Sequence, residues 1–432
     1  MTPRSAFVLL VLLVPCMAQA QTVLDRARRD VDTLAAPWME GRGYEGEGHR
    51  RAAAYIERQF EEAGLAPVGG SYLLPFSFTV DLIRQAPVFA LNGAAIPLGA
   101  GFLPIASSPS AHASGDARVV IAGSGLYAPD AGVNAYEGLD VRDAIVVLDD
   151  AMPSPLPEGL LPASRTTLYR MEAAAHFGAR AVVFLTDNLS HGPFPQNTTL
   201  PGFLLLRSYW PAETPRIAYS LETTRDEETT SANVLAQCPG TRAADRYLVV
   251  MAHYDHLGRI GPDVFFPGAN DNASGTALLL GLSRACAEQP FGRTVLFVAF
   301  SGEEQGLLGS RAFVADPPVP LEAIDFVLNL DMVASGEDGI TVVGGSDFPE
   351  ALDVLNAANA GVGISRIGKR ANAPNSDHYP FLTAGIEGFF IYTNKGTQPY
   401  HSVNDVPATL EWDDFQAVYT LSERFLRAID AR

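Results

Sequence analysis

The chain has 432 residues, 47% of them apolar, and a formal charge of −19 at neutral pH. That length suits two or three domains, and the apolar share is enough for a sizeable core. The acidic balance argues against nucleic acid or an anionic membrane as a partner, and after residue 20 no run has the length and apolar purity of a membrane span.

Residues 1–20, MTPRSAFVLLVLLVPCMAQA, read as a secretory signal peptide. Arg4 supplies the positive start, Ala6 to Val14 the short apolar core, and Ala18-Gln19-Ala20 a small-x-small cleavage site. Cleavage is expected after Ala20, which makes the mature protein secreted or periplasmic. Cys16 hints at a lipid anchor, but Pro15 stands where such a signal needs a small residue. Cys238 and Cys286 then remain. In an exported chain they can form one disulfide, and two buried thiols fit the sequence equally well.

Residues 21–84 begin helical. In GEGHRRAAAYIERQFEEAGLAP, Ala52, Ile56, Phe60 and Ala63 recur at helical spacing, with Gly64 as C-cap. Between 85 and 226 the composition turns to Pro, Gly, Ser and short β-branched runs, such as RVVIAG (118–123) and AIVVLDD (144–150). One helix, 170–179, precedes a further apolar run, AVVFLTD (181–187). This stretch reads as a β-rich unit of its own.

From 227 to 432 strands and helices alternate. YLVVMA (247–252), TVLFVAF (294–300), FVLNL (326–330), ITVVGG (340–345) and GFFIYT (388–393) are strands. SGTALLLGLSRACAEQ (274–289) and LLGSRAFVAD (307–316) are helices. Near-continuous apolar strands between helices predict an α/β sheet covered on both faces.

The acids and histidines gather at the ends of those strands. His253 and Asp255 follow the first, Glu303 and Glu304 the second, Asp331 the third, and His401 lies in the loop after the last. Asp271 stands just before a helix. Ligands of open α/β sheets collect outside the carboxyl ends of the strands, and hard oxygen and imidazole donors suit a divalent metal there. Each residue alone has a plainer reading: Asp271 as an N-cap, Asp331 as a turn residue, His401 as a solvated loop histidine, and the two glutamates as an acidic helix start. The weight lies in their coincidence. His49, His112, His176 and His191 fall outside the pattern and read as structural.

HxD (253–255), NDNASG (270–275), SGEEQGLLGS (301–310), NLDMV (329–333), SDHYPF (376–381) and YHSVND (400–405) stand in an order that resembles the M28 family of zinc peptidases. The resemblance covers roughly 30–75 and 230–432. It implies a three-layer α/β sandwich on a mixed, mostly parallel sheet, of the zinc-peptidase, phosphorylase/hydrolase-like kind. The segment 85–226, with GLYAPDAG, YEGLDVRDAIVVLDD and AAAHFGARAVVFLTD in sequence, resembles an inserted protease-associated domain.

The resemblance also implies roles. Asp271 would bridge two Zn²⁺ ions per chain, with His253 and Asp331 completing one site and Glu304 and His401 the other. Glu303 would be the general base acting on a metal-bridging hydroxide; sequence chemistry alone does not say which glutamate does which. Asp255 would orient the His253 imidazole. Tyr400, His378 and Asp377, with His256, would line the substrate pocket. The Asp271–Asn272 peptide bond is expected to be cis. The function implied is an aminopeptidase acting on peptides with a free N-terminus. The alternatives are a metallocarboxypeptidase on the same site, with Arg259, Arg366 or Arg370 to hold a carboxylate, a glutaminyl cyclase, and a non-enzymatic binding homologue.

Overall fold

The strand ends belong to a single nine-stranded sheet in the computed structural model, which describes residues 23–106, 108–192, 198–395 and 399–432. The expected signal peptide lies outside these residues. In chain order the strands are β1 (Ala66–Pro67), β2 (Leu73–Leu82), β3 (Thr224–Cys238), β4 (Ala243–His253), β5 (Arg293–Phe300), β6 (Ile324–Leu330), β7 (Ile340–Val343), β8 (Ile367–Arg370) and β9 (Gly388–Thr393). Their order across the sheet is β1-β3-β5-β4-β6-β9-β7-β8, with β2 paired along the first part of β3. The central block β5-β4-β6-β9 is parallel, so its carboxyl ends share one edge. Antiparallel pairings flank it, β3 with β5 and β7 with β9.

Both faces of the block are buried, which explains its unbroken apolar runs. Leu248, Val250 and Ala252 of β4 point to one side. There they join Ile56 and Phe60 of α1 (Gly48–Glu62), Leu278 and Leu282 of α2 (Gly275–Glu288), and Leu421 and Phe425 of α6 (Phe415–Asp430). Val249 and Met251 point to the other side, with Phe313 of α3 (Leu308–Ala315) and Phe381 of α5 (His378–Thr383). A further helix, α4 (Pro349–Ala358), packs beside α6. Each such phenylalanine stabilises the fold by roughly 1.5–3 kcal/mol relative to exposure. Helix α1 ends as its sequence predicts: Gly64 takes a φ of 78°, and its N–H and that of Leu65 bond back to Glu61 and Phe60. Cys238 at the end of β3 and Cys286 of α2 form a disulfide, with Cα atoms 6.4 Å apart.

β2 and the first part of β3 form a ribbon, from Leu82 opposite Thr224 to Leu73 opposite Val234. The chain between them builds a five-stranded sheet, with Ile145–Asp149 and Ala181–Thr186 in its middle, and a four-stranded sheet that includes Val88–Leu91 and Ile217–Leu221. Helix Thr167–His176 packs Met171 and Ala174 on Val146, Leu148, Val182 and Phe184. The opposite face, with Val147, Val183 and Phe203, packs on Phe89, Ile217 and Tyr219. Residue 226, the expected edge of the insert, lies inside β3, because the ribbon carries the chain continuously from one sheet to the other.

Candidate active site

The parallel block delivers its side chains to one point. His253 closes β4, Asp331 follows β6 directly, and Glu303 and Glu304 follow β5 across the turn at Ser301 and Gly302. Asp271 sits in the tight turn Ala269–Ser274 ahead of α2, and its peptide bond to Asn272 is cis, as expected. The asparagines on either side sew this turn to the loop after β6. Asn270 Oδ1 accepts from the Ala334 N–H at 3.2 Å, and Asn272 Oδ1 from the Met332 N–H at 3.2 Å.

Asp271 parts its two oxygens. Oδ1 is 3.3 Å from His253 Nε2 and Oδ2 is 3.2 Å from His401 Nε2. His253 Nε2 also meets Asp331 Oδ1 at 3.4 Å, and His401 Nε2 meets Glu304 Oε2 at 3.3 Å. The result is two histidine–carboxylate pairs on one shared carboxylate. All five residues are buried. Asp331 Oδ1 makes no hydrogen bond and has only the His253 imidazole, at 3.4 Å, before it, an expensive state for a buried carboxylate oxygen unless a cation faces it.

The two neighbouring glutamates are driven apart. Burial pushes the Glu304 carboxyl up, but the His401 charge and bonds to His256 and His401 outweigh it and hold it at about 2. Burial raises Glu303 well above its ordinary value, and Glu304, Asp377 and Asp331 add to the rise against the pull of His253. Burial lifts Asp271 too, and the bonds to His253 and His401 overcome it. His401 is pushed up to about 10: burial works against this, and the charges of Glu304 and Asp271 prevail.

Asp255 holds a place other than the one expected. His253 Nδ1 bonds to the Asp255 backbone carbonyl at 3.1 Å, while the Asp255 carboxylate stands 3.8 Å away. That carboxylate instead accepts from the Glu303 N–H at 3.2 Å and from the Tyr44 hydroxyl at 2.9 Å. It therefore sets the turn bearing the glutamates, and the carbonyl orients the imidazole. His256 Nδ1 bonds to Glu304 Oε1 at 2.7 Å, from behind the pocket.

Asp377 and His378 have no exposed surface, so neither lines a substrate pocket as expected. The cause is helix α5, which turns its start inward: the His378 ring lies 5.2 Å from that of Phe390. Burial pushes the Asp377 carboxyl up to about 7. Tyr400 is 51% exposed and stacks on the His401 ring at 3.7 Å, in keeping with a substrate contact.

Several further residues support the site without having been singled out in the sequence. Arg42, wholly buried, donates to the carbonyls of Leu34, Tyr254, Pro267, Gly268 and Asp271 at 2.6 to 3.3 Å. Asp405 accepts from the N–H groups of Asn270 and Asp271. Ser376 Oγ donates to Asp331 Oδ2 at 2.9 Å. Asp405 and Ser376 lay inside the quoted motifs YHSVND and SDHYPF; Tyr44 and Arg42 had only their shared tripeptide neighbourhood, with no spacing to betray a site.

Aminopeptidase YwaD of Bacillus subtilis is 28% identical over 248 residues, which cover 53% of this chain and 52% of that protein. A probable zinc metalloprotease of Pyrenophora tritici-repentis is 33% identical over 139 residues, 30% of this chain and 29% of that one. The chain thus spans about half the length of the first relative and less of the second. Among solved structures, a Peptidase M28 precursor from Shewanella amazonensis superposes with a TM-score of 0.71 at 18% identity, covering 96% of each chain. The zinc aminopeptidase BSAP from Bacillus subtilis gives 0.68 at 21% identity, covering 93% of this chain and 94% of its own. At these identities the structural matches speak for the fold. Residues 233–426, which contain every one of the strand-end residues, match the model of Peptidase family M28.

Proposed function

We propose that the protein is a zinc-dependent aminopeptidase with two metal ions per chain. The observation that carries this reading is the split of the Asp271 carboxylate between two histidine–carboxylate pairs. The residues fit the metal: three carboxylates and two imidazoles converge, and the buried Asp331 Oδ1 faces only the His253 imidazole, without a hydrogen bond. His253, Asp271 and Asp331 would hold one ion, and Asp271, Glu304 and His401 the other. When bound, the ions supply Lewis acidity that activates water and polarises the scissile carbonyl.

Glu303 is the general base in this reading. It takes a proton from the attacking water and returns it to the leaving amine. The opposite displacements of Glu303 and Glu304 support the division, since a pair of carboxyls pushed apart marks one as proton carrier and the other as fixed charge. The exposed Tyr400 would hydrogen-bond the oxyanion of the tetrahedral intermediate.

A cavity of about 490 Å³ opens beside the site, lined by Tyr44, Glu45, Leu257, Arg259 and Gln305 of the large unit and by Thr223 and Arg225 near the insert. We assign it to the peptide chain and the insert to a protease-associated-like cover. Arg259 is engaged with Glu40 and Glu45, and Arg366 with Asp338, which weighs against their use as a carboxylate clamp. Residues 1–20 would direct export. Among the described residues no helix is long and apolar enough to cross a membrane.

The test is one peptide in two forms. The form with a free N-terminus and an amidated C-terminus should be hydrolysed, and the N-acetylated free acid should not. Hydrolysis of the second form alone would make the enzyme a carboxypeptidase.

A further inference from the structure

Two consecutive residues of the inserted unit grip the loop that carries His401. Ser190 Oγ donates to the Tyr400 carbonyl at 3.1 Å. The His191 N–H donates to the His401 carbonyl at 2.8 Å. The His191 ring is itself anchored, lying nearly parallel to Phe266 with centroids 5.1 Å apart.

His401 needs such a grip. Its φ is 54°, in the left-handed region that residues with side chains populate sparsely and keep only where their surroundings fix it. Four residues further on, Asp405 binds the turn of Asp271 through the N–H groups of Asn270 and Asp271. The loop is thus fastened to the large unit at Asp405 and to the insert at residues 400 and 401. Between these fastenings His401 Nε2 is presented to Asp271 Oδ2 and Glu304 Oε2. His253 and Asp331, by contrast, hang directly on strands β4 and β6 of the large sheet.

We propose that Ser190 and His191 are positioning residues of the inserted unit: they set His401 for the metal ion shared with Asp271 and Glu304, so the insert completes one metal site and not the other. This rests on the two-metal reading above. It gives the insert a part in building the centre as well as in covering it, and makes occupancy of one site sensitive to how the insert is seated.

The experiment measures zinc binding to the full chain, stripped with a chelator and titrated in competition with a chromogenic chelator. Wild type should take two ions. His191→Pro removes the N–H, and should bind the first ion as wild type does and the second roughly 10- to 100-fold more weakly, the usual cost of losing a group that orients a ligand. His191→Ala keeps the N–H and should hold the second ion within about threefold of wild type. Ser190→Ala should fall between the two. Second-site affinity equal to wild type in His191→Pro overturns the proposal. If proline unfolds the chain, as circular dichroism would report, Ser190→Ala decides, and wild-type affinity for both ions there overturns it. A wild-type chain that takes up no zinc would instead defeat the two-metal reading itself.

Discussion

The Tyr44 hydroxyl bonds to Asp255 Oδ2 at 2.9 Å across 211 residues of sequence, tying the N-terminal segment to the strand end that bears His253. The same hydroxyl accepts from the Gly302 N–H at 2.6 Å and meets Ser301 Oγ at 3.0 Å. Burial and the Asp255 charge push the phenol well above its ordinary value, so it keeps its proton and remains a donor. Tyr44→Phe should leave a buried carboxylate oxygen and a buried N–H without this partner. A loss of about 1–3 kcal/mol follows for each group left unpaired. Because the hydroxyl braces the turn bearing Glu303, we expect kcat to fall roughly 10- to 100-fold with KM nearly unchanged. Steady-state kinetics on the Phe variant check this, and a rise in KM at constant kcat would mean that Tyr44 acts only as a wall of the peptide cavity and does not brace the turn.

Arg42 supports a second prediction, about stability. Burial lowers its pKa to about 10, with Asp405 and Asp271 opposing the fall, so the guanidinium stays charged at neutral pH. Its five bonds all go to backbone carbonyls that flank the site. Arg42→Met should destabilise the chain by about 3–5 kcal/mol, because these carbonyls lose a shared charged donor inside the core, where that of Gly268 keeps the Ala273 N–H. Arg42→Lys should recover less than half of this, since one ammonium cannot reach all five. Denaturant unfolding of the three proteins measures the difference, and a loss below about 1 kcal/mol in Arg42→Met would refute the account.

These two residues also mark the limit of what the sequence discloses. His253, Glu304 and Asp331 were legible because each follows an apolar run, and a parallel sheet sends such ends to one edge; Asp271 and His401 lie in a turn and a loop and were legible through the motifs NDNASG and YHSVND. Helix α1 was legible from one stripe, Ala52, Ile56 and Phe60, and α6 carries the same kind of stripe in Val418, Leu421 and Phe425. Strand β2 was not legible as part of the large sheet: it alternates exposed and half-buried residues, contains Pro75, and gains its partner only 150 residues later. Tyr44 and Arg42 were hidden for a related reason, since their partners are backbone groups and a carboxylate remote in sequence. Asp377 and His378 misled in the other direction. They sit in a family motif, but the motif's polar start folds inward on α5, and polarity in a sequence does not tell a buried position from a pocket wall.

The adjacent glutamates should separate on mutation. Glu304 meets both His256 and His401, and Glu303 meets the Asp255 carboxylate only through its backbone N–H. Glu303→Gln should therefore retain zinc and lose about three or more orders of magnitude in kcat, through removal of the proton carrier alone. Glu304→Gln should lower zinc content. Elemental analysis beside kinetics distinguishes them. Loss of metal from Glu303→Gln with retention in Glu304→Gln would reverse the assignment.

Zinc uptake should release protons, and the sign of the pH dependence follows from the histidines. In the metal-free site His401 is pushed up to about 10 and His253 well above its ordinary value, in each case because neighbouring carboxylates outweigh burial. His401 is thus protonated at pH 8, and a metal binds only the neutral imidazole. The ion at His401 must displace that proton, so at least about one proton should appear as the two ions bind. Apparent affinity should rise with pH, by about tenfold per unit for each proton displaced, and level off as pH passes the folded pKa. The stability of the metal-free chain runs the other way. The raised histidines contribute fully below their unfolded pKa, and that contribution is lost as pH rises through about 10 for His401. Calorimetric titration of zinc into the metal-free protein, in two buffers of different ionisation enthalpy, counts the protons directly. A count near zero at pH 8 would mean that the His401 imidazole is already neutral, and that Glu304 and Asp271 do not hold its charge as their geometry implies.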